Sequence, residues 1–124
     1  MPLQRDVVEV EFRLPSDGRT EKHPVIVLSN EEINNDEEGF VAVMMTSQEH
    51  YKDDEYSFDL DNTMFTKPLG TPYSAARVHL IGNFMNSDII PNRNSGNQMR
   101  VEPFKRLLVN INKTTFNLKI TKFE

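Results

Sequence analysis

Apolar positions along the chain fall into short blocks, and the block from Phe40 to Gln48 organises the rest. Five apolar residues, Val41 to Met45, run there without a break and stop at Thr46, Ser47 and Gln48. Such a run, rich in β-branched and apolar residues and preceded by a Gly-containing acidic turn, predicts a strand buried on both faces. Its polar end has to surface where the strand leaves the core, which makes that end the candidate working face. A second block, Val25 to Leu28, ends in Ser29 and Asn30 and predicts a neighbouring strand. His23-Pro24 opens it, and proline suits a strand start because it donates no ladder hydrogen bond.

Elsewhere the period is two. Val8, Val10 and Phe12 alternate with Glu9 and Glu11, and Tyr56, Phe58 and Leu60 alternate with Ser57 and Asp59. Both patterns predict half-buried strands. Ala75 to Ile81 alternates as well, with Ala76, Val78 and Leu80 on one face and Arg77, His79 and Ile81 on the other, until Gly82-Asn83 breaks it. Asp88 to Ile90 is compatible with a short strand. Leu14 to Lys22, Gln48 to Glu55 and Pro91 to Gln98 have loop compositions. Ser29 to Gly39 reads as a turn that accommodates one helical turn with Ser29 as N-cap.

The period changes at the end of the chain. Phe104, Leu107, Leu108, Ile111, Thr115 and Leu118 recur at steps of three and four. Pro103 fits a first helical turn. The pattern predicts a helix of roughly three turns starting near Glu102. Thr115 to Phe123 also alternates, so a terminal strand competes there. Close-spaced short strands with one C-terminal helix predict a mainly β, β-rich α+β chain: a small, strongly bent antiparallel sheet or barrel.

Composition narrows the chemistry. The 124 residues fit one domain, residues 1–124. There is no Cys, which removes disulfides, zinc-thiolate sites and thiol nucleophiles. No segment has the ~18 apolar residues of a membrane span, and the N-terminus carries no signal-peptide core; a cytoplasmic chain without a membrane partner is the expectation. The net charge of −5 is unevenly spread. Residues 31–61 hold eleven acids against Lys52 alone, whereas residues 62–124 hold nine bases against three acids. The basic half leaves room for a local anion-binding face. There is no P-loop, no paired-glycine dinucleotide motif and no His-x-x-x-His pair, so neither cofactor nor metal is expected. Of the three histidines, His50 lies in the acidic loop and reads as solvated. His23 and His79 fall at polar-facing strand positions near the Thr46-Ser47-Gln48 strand end. Such side chains can move protons near neutral pH and stabilise developing charge on phosphorus.

The order His-Pro-Val-Ile-Val-Leu-Ser (His23 to Ser29), Val-Ala-Val-Met-Met-Thr-Ser-Gln (Val41 to Gln48) and Tyr-Ser-Phe-Asp-Leu (Tyr56 to Leu60) resembles the MazF/PemK/Kid family of toxin endoribonucleases. Order and spacing carry the likeness, from about Val7 to Ile90. It implies a small SH3-like barrel of antiparallel strands with a C-terminal helix. It also implies the toxin component of a toxin–antitoxin system: a homodimer, opposed by an antitoxin protein, that cuts single-stranded RNA without metal. In that chemistry the ribose 2′-hydroxyl attacks the adjacent phosphate. The resemblance places Thr46 at the family's functional threonine and Ser47 and Gln48 at its polar neighbours. His23 stands where the family has an arginine before the proline. In the strand from Ala76, the family's Gln-x-Arg-x-Ile-Asp pattern becomes Arg77, His79 and, at the aspartate, Gly82. The expected catalytic residues are therefore His23, Thr46 and His79, with Ser47, Gln48 and Arg77 binding substrate. A non-catalytic relative, binding an acidic peptide or protein partner through the same groove, is the alternative.

Overall fold

A computed structural model describes residues 1–13, 18–91, 94 and 96–119. Among them the chain runs β1 (Val7–Arg13), β2 (Thr20–Val27), α1 (Glu31–Asp36), β3 (Gly39–Thr46), β4 (Ser57–Leu60), β5 (Ser74–Met85) and α2 (Val101–Thr114). The strands form one antiparallel sheet in the order β1-β2-β3-β5-β4. This is the β-rich architecture with a C-terminal helix that the sequence predicts. The sheet curls without closing by a continuous ladder. Segment 97–99 spans the gap between its outer strands: isolated bridges pair Asp6 with Gln98 and Phe65 with Met99. Val7 N donates to Asn97 O at 3.0 Å, and Thr66 N donates to Gln98 O at 2.9 Å.

β3 is central and buried on both faces, as its uninterrupted apolar run requires. Val43 and Met45 join Val7, Ile26, Leu60, Phe65, Val78 and Met99 in one cluster, which α2 covers with Phe104, Leu107 and Ile111. Phe40, Ala42 and Met44 join Val10, Val25, Val27 and Phe84 in a second cluster. Burying such side chains, at ~1.5–3 kcal/mol for each large one, is the main term that opposes chain entropy. α2 buries Pro103, Phe104, Leu107 and Ile111. Leu108 and Leu118, which the helical period also included, are exposed. The helix ends at Thr114, so residues 115–119 extend neither helix nor strand; the rest of the proposed terminal strand lies outside the described residues. The same holds for residues 14–17 and for 92, 93 and 95 of the two predicted loops.

Several boundaries differ from expectation, each for a local reason. β2 starts at Thr20, not at Pro24. Its first half pairs only with β1, because the β2–β3 register covers Val25↔Met44 to Val27↔Ala42 and nothing earlier. Pro24 is thus tolerated where no β3 ladder asks for its missing N–H. Asn30, not Ser29, caps α1, accepting from Ile33 N at 3.1 Å. Ser29 is held elsewhere: its hydroxyl donates to the buried Asn34 Oδ1 at 2.5 Å and accepts from Val41 N at 2.9 Å. β5 continues through Gly82 and Asn83 to Met85, because β3 keeps pairing with it as far back as Gly39. At Gly39 a Cβ would stand 2.7 Å from the Phe84 carbonyl oxygen, so the close approach of the strands needs a glycine. Ile89 forms a single bridge to Val10 instead of a strand.

The irregularity that matters most lies inside β5. Met44 pairs with Arg77, but the next residue back, Val43, pairs with Ile81. Val78, His79 and Leu80 are therefore surplus to the ladder and form a bulge. The bulge swaps faces beyond it: Ile81 packs on the first core cluster, and Leu80 is 42% exposed.

Candidate functional site

Where β2 and β3 stop pairing, the sheet opens. Continuing the register past Val25↔Met44 would set His23 opposite Thr46, but the ladder ends before that pair. The gap is a cleft on either side of the β3 end. One cleft, of about 360 Å³, is lined by Glu21, His23, Thr46, Gln48, Tyr51, Arg77, His79 and Leu80, with Met44 and Met45 as its floor. The other, of about 310 Å³, has Lys22, Ser47, Thr71, Ser74 and the buried Glu9 in its wall and shares His23, Thr46 and Gln48. His23, Thr46 and Gln48 thus face both spaces. Arg77 and His79 line only the first, and Ser47 only the second.

His23, Thr46, His79 and Arg77 each have an identifiable contact. His23 Nε2 lies 2.9 Å from Glu21 Oε2, two residues back on β2. An ionised carboxylate can only accept, so this contact puts a proton on Nε2. Thr46 Oγ1 accepts from Gln48 N at 3.2 Å, a local turn that takes the chain off the end of β3. His79 is on the bulge, with its ring 4.9 Å from that of Tyr56. It is exposed by area, yet partial desolvation holds its proton affinity below the ordinary value of 6.5. The Arg77 charge acts in the same direction and Asp54 opposes it. His50, read from sequence as solvated, is exposed, and its ring lies tilted against that of Tyr51 at 4.0 Å between centroids.

Arg77 is 8% exposed. Its Nη1 donates to Asp54 Oδ1 at 3.0 Å and to Ser57 Oγ at 2.8 Å, and its guanidinium carbon lies 4.1 Å from the centroid of the Tyr51 ring. Asp54 in turn accepts from Tyr56 N at 2.8 Å. That backbone bond and the Arg77 contact lower the Asp54 pKa below 3.8. Tyr51, Asp54, Tyr56 and Glu21 are the site residues that sequence reasoning missed. Tyr51 and Asp54 lie in a hydrophilic stretch whose composition reads as loop, and nothing in its pattern marks the arginine it wraps; Tyr56 opens the alternation read as a half-buried strand, but β4 starts at Ser57 and Tyr56 is exposed. Glu21 had a signal in its spacing, since residues 21 and 23 of a strand share a face.

Among the described residues no three His, Asp or Glu side chains gather as a metal site, and no helix is long and apolar enough to cross a membrane. The site is a solvent-facing cleft at the end of a bent β-sheet, furnished with two imidazoles, hydroxyls, amides and one clamped cation. The class this defines is a small β-domain with polar and ionisable groups at a strand end.

The sequence matches the PemK-like, MazF-like toxins of type II toxin–antitoxin systems over residues 3–101, and the chain belongs to that family. Solved structures agree on the fold. A chain of the MazE–MazF complex (form III) from Deinococcus radiodurans superposes with a TM-score of 0.65 at 15% identity, covering 90% of this chain and 94% of that one. An endoribonuclease in complex with its cognate antitoxin from a mycobacterial species gives 0.65 at 12% identity, covering 98% and 100%. A second crystal form of the Deinococcus complex gives 0.57 at 15%, covering 90% and 89%. No curated protein matches the sequence significantly.

Proposed function

We propose that this toxin-family chain is an endoribonuclease that cleaves single-stranded RNA by internal attack of the 2′-hydroxyl, without metal. The observation that carries the reading is the cleft at the β3 end, which His23, Thr46, Gln48 and His79 line together. In the reaction, a base takes the 2′-hydroxyl proton and the O2′–P bond forms. The P–O5′ bond breaks, and an acid returns a proton to the departing 5′-oxygen. The products are a 2′,3′-cyclic phosphate and a free 5′-hydroxyl. His79, whose proton affinity is held down, suits the accepting role at neutral pH. His23, with its carboxylate partner at 2.9 Å, suits the donating one. Thr46, Ser47 and Gln48 contact the phosphate and ribose, and Arg77 contributes positive charge behind them. Acid–base groups of this kind contribute roughly 10²–10⁴-fold each. The toxin would act in the cytoplasm as a homodimer and be silenced by an antitoxin, in keeping with the antitoxin-bound assemblies of its structural neighbours.

The test is direct. Incubate the protein with mixed-sequence single-stranded RNA in EDTA and analyse the new ends. Cyclic phosphates and 5′-hydroxyls are expected, with cleavage lost in His23→Ala and His79→Ala while both stay folded. Intact RNA with a folded parent protein refutes the reading. If that parent protein instead captures an acidic peptide in the same cleft, the non-catalytic alternative takes its place.

A further inference from the structure

Among the described residues, Arg77 is the one Lys or Arg that lines the larger of the two clefts, and it is engaged by three neighbours. Arg77 is held by Asp54, Ser57 and the face of Tyr51. All three partners belong to the connection between β3 and β4 and to the first residue of β4. The other hydrogen bonds of that connection are mostly local turns, such as Tyr51 N to Gln48 O and Lys52 N to Glu49 O, and Val78 N to Tyr56 O at 3.0 Å joins its end to β5. The connection's 3₁₀ turn, Glu49–Tyr51, buries no residue. Its residues 47–50, 52, 53, 55 and 56 are exposed. Yet Gln48 and Tyr51 line the cleft, and Tyr56 carries the His79 ring. Something must seat a polar segment against the sheet, and the guanidinium fork provides the fixed geometry for it.

We propose that Arg77 is a positioning residue: it clamps Tyr51, Asp54 and Ser57, seats the β3–β4 connection along the cleft and places His79 against Tyr56, and it does not itself grip a substrate phosphate. This rests on reading the cleft as an RNA-cleaving site and reassigns Arg77 within it. A phosphate reaching Nη1 would have to displace a carboxylate and a hydroxyl from a nearly buried guanidinium.

The clamp has an electrostatic consequence that separates it from a passive strut. The groups around His79 are Arg77 on its own strand, Asp54, Tyr51 and Tyr56 on the connection with the His50 ring against Tyr51, and Glu21 and His23 across the cleft on β2. Arg77 lowers the His79 proton affinity and Asp54 raises it. Removing one member of the pair leaves the other unopposed. The two single substitutions therefore shift His79 in opposite directions, which simple loosening of a loop does not do.

The experiment is an NMR titration of the imidazoles in the full chain for the parent, Arg77→Met, Arg77→Lys and Asp54→Asn, alongside cleavage–pH profiles on a short single-stranded RNA in EDTA. Arg77→Met is expected to raise the His79 midpoint and Asp54→Asn to lower it. Arg77→Lys keeps the charge without the fork, so the midpoint stays near the parent's while Tyr51 loses its ring-current contact. Cleavage by Arg77→Met should fall by up to about 100-fold in kcat, with KM little changed and the acidic limb of the profile moved with His79. An unmoved midpoint in both Arg77→Met and Asp54→Asn overturns the proposal. So does an Arg77→Met enzyme with parental kcat and a tenfold higher KM, which would make Arg77 a substrate contact. If Arg77→Met fails to fold, Asp54→Asn and Arg77→Lys still decide the matter. If the parent cleaves nothing, the proposed activity fails, and the titration alone judges the clamp.

Discussion

One of the hydrogen bonds that hold the bulge in β5 can be removed cleanly. Thr115, the C-cap of α2, donates from Oγ1 to the Val78 carbonyl at 2.7 Å. Val78 has no place in either ladder: the β3–β5 register steps from Arg77 to Ile81, and the β4–β5 register ends at Arg77. Thr115→Val keeps the side-chain volume and loses the donor, so the carbonyl loses its partner. A buried acceptor left unpaired costs about 1–3 kcal/mol; the site is part-buried, which sets the expectation at about 1–2 kcal/mol. For a chain of this length that corresponds to a fall in Tm of roughly 3–8 °C. Thr115→Ser retains the hydroxyl and should stay within about 0.5 kcal/mol of the parent. Urea unfolding followed by circular dichroism measures both, and amide exchange at Val78 and His79 reports whether the loss is felt in the bulge. A valine variant within about 0.3 kcal/mol of the parent, or a serine variant as damaged as valine, refutes the reasoning.

Two further outcomes follow from the same geometry. Asn34 is fully buried and ties α1 to the strands, its Nδ2 donating to Pro2 O and Ser29 O at 3.1 Å each. Asn34→Ala should cost about 2–4 kcal/mol by leaving two carbonyls unpaired, and a urea midpoint close to the parent's would contradict this. Acidification should weaken the fold in two windows. His79 is depressed below 6.5, so from that pH downward the unfolded chain takes up a proton the folded chain refuses, and stability falls until the folded pKa is reached. Asp54 is depressed below 3.8, so its contribution is present above that value and is lost as pH falls through its folded pKa. In thermal melts across pH 7 to 5, His79→Gln should decline less steeply than the parent; parallel curves would disprove the assignment.

Much of the fold was legible because it is written in burial. The run from Val41 to Met45 predicts a strand covered on both faces, and β3 feeds two core clusters with alternate residues. Phe104, Leu107 and Ile111 predict the buried face of α2. What burial does not write was not legible. The outer half of β2, Thr20 to Pro24, is a two-stranded ribbon whose polar residues carry no period-two apolar signal. The face of Leu80 was misassigned because alternation presumes an unbroken ladder, and the three surplus residues of the bulge break it. In the site, His23, Thr46, Gln48, Arg77 and His79 could be nominated from the strand end and the family pattern, and they line one cleft. The partners that hold Arg77 and His79, namely Tyr51, Asp54 and Tyr56, reach them across the sheet, and such contacts are a tertiary fact that local composition does not carry.

Those observations bear on why a long bulge persists in the middle of a core strand. Skipping three residues gives up ladder hydrogen bonds, and an unbroken β5 would keep them. The loss is offset on each side: Val78 N donates to Tyr56 O at 3.0 Å, and Val78 O accepts from Thr115. One residue thereby joins the C-terminus of α2, the β3–β4 connection and the first core cluster. Its two neighbours point the other way: Arg77 takes hold of the connection, and His79 faces the cleft. Period two by itself puts Val78 inward and Arg77 and His79 outward. What the bulge adds is a Val78 backbone free to bond the connection and the end of α2, and a Leu80 turned out of the core. Helix docking, loop seating and imidazole placement are therefore one mechanical unit, and a change at Thr115 should be read out at His79 although the two residues sit on different elements.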